Sequence, residues 1–159
     1  LKTGYTATAK YCMSATANRN GITLIAVIMG AETKDIRNKE VCKLFDYGYA
    51  NCNLYKDENV LDTCSVSIEN GISDELAIES ASDFSSVLLR GEKADDVKKT
   101  PVQEETLTAP INKGDVIGKM EYSINGRVLG SVEIVAAENI KKMTFGYSFK
   151  KVLYLAFRS

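Results

Sequence analysis

The chain has 159 residues and 17.4 kDa, enough for one ordinary domain or two small ones, and its 45% hydrophobic and 26% charged residues suit a soluble globular protein. Twenty basic against 21 acidic side chains leave a net charge of −1, which excludes a whole-chain basic footprint for nucleic acid. The absence of His removes His-bearing catalytic triads, His-ligated metals and His pH switches, and the four Cys fit neither a disulfide-dense miniature nor a spaced zinc site.

Residues 1–53 read as strand, turn, strand, helix. Thr6 to Ala17 is rich in Thr, Ala and Tyr, and Asn18-Arg19-Asn20-Gly21 marks a turn. The run Ile22 to Gly30 is nearly all apolar and β-branched, as in a strand buried on both faces. Extended to Ala31, it is about half of the roughly 20 residues that a membrane-spanning helix needs. Thr33 or Asp35 can then N-cap a helix carrying Ile36, Val41, Leu44 and Phe45, with a left-handed cap expected near Gly48. A hairpin and one helix cannot cover a doubly buried strand, so this region is expected to pack on something further. The chain opens at Leu1 without Met or a signal-peptide pattern and reads as a piece of a longer protein.

Residues 54–138 change to short alternating strands with turns. Cys64, Val66 and Ile68 alternate before Asn70-Gly71, and Leu76 and Ile78 follow. Asn112-Lys113-Gly114 is a further turn. Met120, Tyr122 and Ile124 lead into Asn125-Gly126, a strong hairpin signal, and Val128, Val132 and Ile134 return. Glu92 to Glu105 reads as a loop with an edge strand. An all-β, sandwich-like domain is expected here.

Charge is uneven along the chain. Residues 1–53 carry +3, residues 54–138 carry −9, and residues 139–159 carry five basic and no acidic side chains. In the tail, Phe145, Phe149, Val152 and Ala156 fall on one helical stripe, with Lys141, Lys142, Lys150, Lys151 and Arg158 supplying the charge. A basic amphipathic helix on an anionic membrane surface fits this, as does a helix capping the β domain.

The chain begins with Lys2-Thr3-Gly4, at the start of a hairpin strand that precedes a helix. The stretch Leu1 to Thr6, with Leu24 to Gly30 and Leu44-Phe45-Asp46-Tyr47-Gly48, resembles the D-alanyl-D-alanine carboxypeptidases. These are low-molecular-mass penicillin-binding proteins, serine peptidases of the β-lactamase/transpeptidase superfamily. The likeness continues more loosely through a β-rich domain and an amphipathic membrane anchor in the family's order. It implies an α+β fragment (β-hairpin plus helix of the β-lactamase/transpeptidase-like domain), then the all-β sandwich-like domain, then a short C-terminal amphipathic helix.

The resemblance also implies roles. The Lys2 ammonium would lie beside the attacking Ser and the substrate's terminal carboxylate, and the Thr3 hydroxyl would bond that carboxylate. Gly4 would let a substrate backbone lie along the strand. The Tyr5 backbone N–H would be an oxyanion-hole donor, and Arg37 matches an Arg that the family keeps near the carboxylate. The reaction would remove the terminal D-Ala of a peptidoglycan stem peptide ending in D-Ala-D-Ala, through an acyl-enzyme that β-lactam antibiotics also form. It needs no metal and no cofactor. The setting would be extracytoplasmic, peripherally attached to the bacterial membrane through the tail.

Two departures stand out. Lys10 replaces a Gly usual before the aromatic, here Tyr11, so strand geometry or packing should differ there. The nucleophile's Ser-x-x-Lys and the Ser-x-Asn belong upstream of Lys-Thr-Gly, in the missing N-terminal part of the same protein, so the chain alone should be inactive. Ser148-Phe149-Lys150-Lys151 and Ser123-Ile124-Asn125 match those patterns formally, in the wrong order, and read as coincidence. Cys52 could form a disulfide with Cys42 or Cys64, or all four Cys could be buried thiols. The rival readings are a non-catalytic β stalk or interaction domain with a membrane-surface tail, and a fragment of a serine β-lactamase. The region around Ala109 to Gly118 faintly resembles lipoyl and biotin carriers, but the hairpin tip Asn125-Gly126-Arg127 lacks the modifiable Lys.

Overall fold

The structure, a computed structural model, describes residues 1–62, 64–103 and 106–147. The chain divides into two compact units. The first joins Leu1–Tyr55 with Ser85–Asp95, and the second joins Lys56–Phe84 with the described chain from Asp96 onward.

In the first unit, β1 (Lys2–Thr6), β2 (Lys10–Arg19) and β3 (Ile22–Ala31) form an antiparallel sheet in that order. The expected single strand that begins at Lys2-Thr3-Gly4 and runs on through Thr6 to Ala17 is therefore two strands with a tight turn over residues 7–9. Lys10, at φ 54°, takes the left-handed conformation for which Gly is the usual residue. The β2–β3 turn falls on Asn20-Gly21, both at positive φ (53° and 83°), the pairing that a type I′ turn requires.

Helix α1 (Lys34–Ala50) packs on one face of this sheet. Thr33 is its N-cap, the Oγ1 accepting from the Ile36 N–H at 3.2 Å. Met13, Ala15, Ala26 and Val41 form the buried core, with Ile28 and Phe45 packed against them. The helix does not end at Gly48 in a left-handed cap. It runs two residues further, and Asn51 closes it at φ −117°.

The sheet's other face is bare. Ile25, Val27 and Met29 are 71%, 58% and 78% exposed, so β3 is buried on one face and not on two. Its continuous apolar character, against the alternation of a one-sided strand, is what a second covering layer would require.

β4 (Cys52–Asp57) pairs with β7 (Phe84–Leu89) in a two-stranded sheet, an element that lacks strong alternation in the sequence. The second unit is a six-stranded sheet in the order β8-β10-β11-β6-β5-β9. Its strands are β5 (Ser65–Glu69), β6 (Glu75–Ser80), β8 (Lys98–Gln103), β9 (Leu107–Thr108), β10 (Val116–Ile124) and β11 (Arg127–Ala136). Asn125-Gly126 makes the expected hairpin at φ 48° and 80°, and β8 is the edge strand expected in the polar stretch.

The two edges cannot lie far apart. Only three residues separate the end of β8 from the start of β9, a reach of about 14 Å. Laid flat, the six strands would hold those edges about 24 Å apart. The sheet must therefore curl.

Inside it, Leu76, Tyr122, Ile124 and Val60 are almost completely buried. Asp57 accepts at Oδ2 from Tyr122 Oη (2.8 Å) and Lys99 Nζ (2.5 Å), and at Oδ1 from the Asn59 N–H (3.0 Å). Lys99 also donates to the Asn59 carbonyl at 2.7 Å. Burial raises the Asp57 pKa, but the bonds from Lys99, Tyr122 and Asn59 outweigh it and hold the group below 3.8. The Phe84 ring lies flat on Tyr122, centroids 3.7 Å apart. Gly130, paired with Tyr122 across the ladder, leaves the space that ring occupies: a Cβ there would stand 3.1 Å from Phe84 Cε2.

Residues 139–143 do not begin a helix. Ile140 exchanges both backbone hydrogen bonds with Ile111, at 3.0 and 2.9 Å, and Lys142 bridges Gly71. Ile140 is buried, which explains why this stretch is held to the second unit. Residues 145–147, with Phe145 of the expected stripe, are helical, and the remainder of the expected amphipathic helix, including Ser148-Phe149-Lys150-Lys151 and Phe149, Val152 and Ala156, lies outside the described residues. Among the described residues no helix is long and apolar enough to cross a membrane. The four cysteines are free thiols, with Cys42 and Cys64 exposed and Cys12 and Cys52 half-buried. Neither the disulfides nor full burial is realised.

Candidate active-site strand

Lys2, Thr3, Gly4 and Tyr5 all lie on β1, whose five residues are exposed. β1 is an outer strand of its sheet, hydrogen-bonded to β2 alone among the described residues. Its other edge therefore offers backbone donors and acceptors to an extended peptide, the chemistry of strand addition.

Register fixes which residues share a face. Lys2 stands opposite Ser14, and Ser14 opposite Val27. Ser14 and Val27 are on the bare face, so pleat alternation puts Lys2 there with them, and Gly4 with Cys12. A shallow depression on this face is lined by Lys2, Gly4, Cys12, Ser14, Val27 and Met29, with Thr3, Met13 and Ile28 between them also reaching it. Nothing lies within 4 Å of a Cβ placed on Gly4, so the space beside the strand is open. The Cys12 thiol is turned to its own turn, donating to the Ala9 carbonyl at 3.3 Å.

Thr3 and Tyr5 alternate to the α1 side. Thr3 stands opposite Met13, a core residue under α1, and the Tyr5 ring rests on Tyr11 with centroids 4.5 Å apart. Arg37 is on α1, one and two turns ahead of Val41 and Phe45, hence on the stripe that faces the sheet. It is only 9% exposed, and its Nε and Nη2 both donate to Asn38 Oδ1, at 3.2 and 3.0 Å. No ion pair engages it among the described residues, which leaves a buried guanidinium with donors to spare on the same side of the sheet as Thr3. Lys2 and Gly4 lie on one face of β1 and Thr3 on the other, the side on which α1, packed on β3 and β2, carries Arg37.

Sequence reasoning did not single out Ser14, and it named Tyr11 only as the aromatic that follows Lys10. Both follow from register: Ser14 is the polar neighbour of Lys2, and Tyr11 is the support of Tyr5. Of the formal look-alike motifs, Ser123-Ile124-Asn125 ends in the hairpin turn, with Ile124 buried and Asn125 at positive φ, a turn-forming role.

Comparison with known proteins identifies the families that the chain matches. Residues 49–142 match the family described as penicillin-binding protein 5, C-terminal domain, and residues 1–33 match the family described as D-alanyl-D-alanine carboxypeptidase. The chain is 31% identical over 156 residues to the D-alanyl-D-alanine carboxypeptidase DacF of Bacillus subtilis, covering 96% of this chain and 40% of that one. It is 29% identical to DacC of Escherichia coli, over 91% of this chain and 36% of the relative. Among solved structures it is similar to penicillin-binding protein 5 from Haemophilus influenzae, with TM-score 0.70, 28% identity, and coverage of 89% of this chain and 42% of that one. The chain thus spans about two fifths of the length of the relatives it matches.

Proposed function

This chain belongs to the D-alanyl-D-alanine carboxypeptidases that carry a penicillin-binding protein 5 C-terminal domain, and on that premise we propose that β1 is one wall of a serine hydrolase cleft. The observation that carries the reading is the exposed, unpaired outer edge of a strand bearing Lys2, Thr3 and Gly4. A stem peptide ending in D-Ala-D-Ala lies along that edge as an added strand, and Gly4 lets its backbone approach. Thr3 and Arg37 bind the terminal carboxylate through a hydroxyl and a guanidinium fork. The Lys2 ammonium sits on the bare face, where a layer bearing the nucleophilic Ser covers Ile25, Val27 and Met29. The Tyr5 N–H receives the developing oxyanion, a single donor of this kind being worth roughly 3–4 kcal/mol.

The terminal D-Ala leaves from an acyl-enzyme on a Ser outside these 159 residues, and water releases the shortened peptide. Penicillin acylates the same Ser. In this reading the basic tail attaches to an anionic membrane surface on the outer side, and the acidic β-rich second unit stands away from that surface as a stalk.

The test is covalent labelling. Residues 1–159 incubated with labelled penicillin should give no adduct by mass, while a protein carrying the upstream Ser-x-x-Lys gives one per molecule. A stoichiometric adduct on Ser148 of the short chain would overturn the assignment.

A further inference from the structure

We propose that Asn38 is a positioning residue for the reaction: its side-chain carbonyl holds the Arg37 guanidinium along one side, so that the end-on edge is offered at full charge to the substrate's terminal carboxylate. The inference rests on the assignment of Arg37 to that carboxylate, and adds how the group is aimed and why its partner is neutral.

Arg37 stands where a cation is costly. It is the fourth residue of α1, in the first turn, where the helix dipole opposes positive charge. Its side chain is also buried, and a buried charge ordinarily needs a counter-ion. Among the described residues no carboxylate pairs with it. Those of the same stretch are directed elsewhere. Glu32 pairs with Lys10 at 3.7 Å, and Glu40 with Lys43 at 2.7 Å. Asp35 precedes Arg37 by two positions, and residues so spaced on a helix do not face each other. An anion from outside the described chain would complete the site.

The group that does bond the guanidinium is uncharged. Nε and Nη2 both donate to Asn38 Oδ1, at 3.2 and 3.0 Å. Two donors meeting one oxygen fix the orientation of the guanidinium plane and engage one N–H of each nitrogen. Both N–H groups of Nη1 and the second of Nη2 have no partner among the described residues. They form the end-on edge, which takes a carboxylate through two parallel bonds. A carboxylate at position 38 would orient the guanidinium equally well, but it would neutralise the charge and compete with the substrate for it. The amide orients the group and leaves its charge to the ligand.

The test uses the intact protein, with its upstream Ser, and measures release of D-Ala from a peptide ending in D-Ala-D-Ala. Asn38→Asp should raise KM about tenfold, with kcat changed by less than about twofold and thermal stability not lowered. Asn38→Gln keeps an amide carbonyl and should recover most of the wild-type KM. In an Arg37→Ala background Asn38→Asp should have no further effect, because its action passes through the guanidinium. A direct repulsion of the substrate by the new charge would persist there. Wild-type KM in Asn38→Asp, a loss confined to kcat or stability, or an equal loss in the Arg37→Ala background each overturns the positioning role alone. Wild-type KM in Arg37→Ala overturns the assignment of Arg37 beneath it as well.

Discussion

Gly48 of α1 lies against Leu24 of β3 so closely that a Cβ at position 48 would fall 2.5 Å from Leu24 Cδ1. The glycine serves helix–sheet approach in the last turn of the helix, where it still lowers helix stability by up to about 1 kcal/mol relative to Ala. Gly48→Ala should therefore be close to neutral, the helix gain offset by an off-rotamer Leu24 at about 0.5–1.5 kcal/mol. Gly48→Val has no such gain and should cost about 2 kcal/mol. Urea midpoints of the intact protein decide it, and a fully tolerated Val would show that α1 and β3 are not in close contact.

Lys10 holds a left-handed backbone at φ 54° with only a long, exposed ion pair to Glu32 at 3.7 Å. Such a conformation costs a non-glycine residue about 1–2 kcal/mol, while Gly adds roughly 0.5–1 kcal/mol of unfolded-state entropy. Lys10→Gly should stabilise the protein by up to about 1 kcal/mol. A loss of stability in thermal unfolding would mean that the turn before Tyr11 does not have this geometry.

These two positions show what was legible. The Asn20-Gly21 and Asn125-Gly126 turns were visible because their residues announce positive φ. The β1–β2 turn was hidden because Lys stands at its left-handed position. Gly48 looked like a cap because sequence spacing carries no information on how near another strand comes. The bare face of β3 reads as buried because its composition answers to a covering layer that these residues do not include. Lys2, Thr3 and Gly4 were found by motif, while their division between the two faces needed the register.

Asp57 should make the second unit acid-sensitive. Its folded pKa lies below the ordinary 3.8 because the bonds from Lys99, Tyr122 and Asn59 outweigh burial. The stabilisation is therefore complete above 3.8 and lost as pH falls through the lower folded value. Asp57→Asn should remove that pH dependence and cost about 1.5 kcal/mol at neutral pH, since it weakens charge-assisted bonds to a Lys99 that stays partly exposed. An unchanged acid-unfolding profile in the variant would assign the sensitivity elsewhere.

Ile25, Val27 and Met29 present an apolar face that water should not tolerate. Residues 1–159 alone should self-associate, and Ile25→Thr with Met29→Thr should shift the chain toward monomer in sedimentation velocity. Hydrogen exchange should at the same time be faster in β3 than in β10. A wild-type chain that stays monomeric with both strands equally protected would contradict the need for a covering layer.

The central claim is that β1 forms the substrate-binding wall. Release of D-Ala from a peptide ending in D-Ala-D-Ala, measured for the intact protein and its Lys2→Ala variant, tests it most directly. Removing one preorganised charge from such a site should lower kcat/KM by about 10²–10³-fold, with urea stability unchanged because Lys2 is exposed. A variant that releases D-Ala at the wild-type rate would contradict the account.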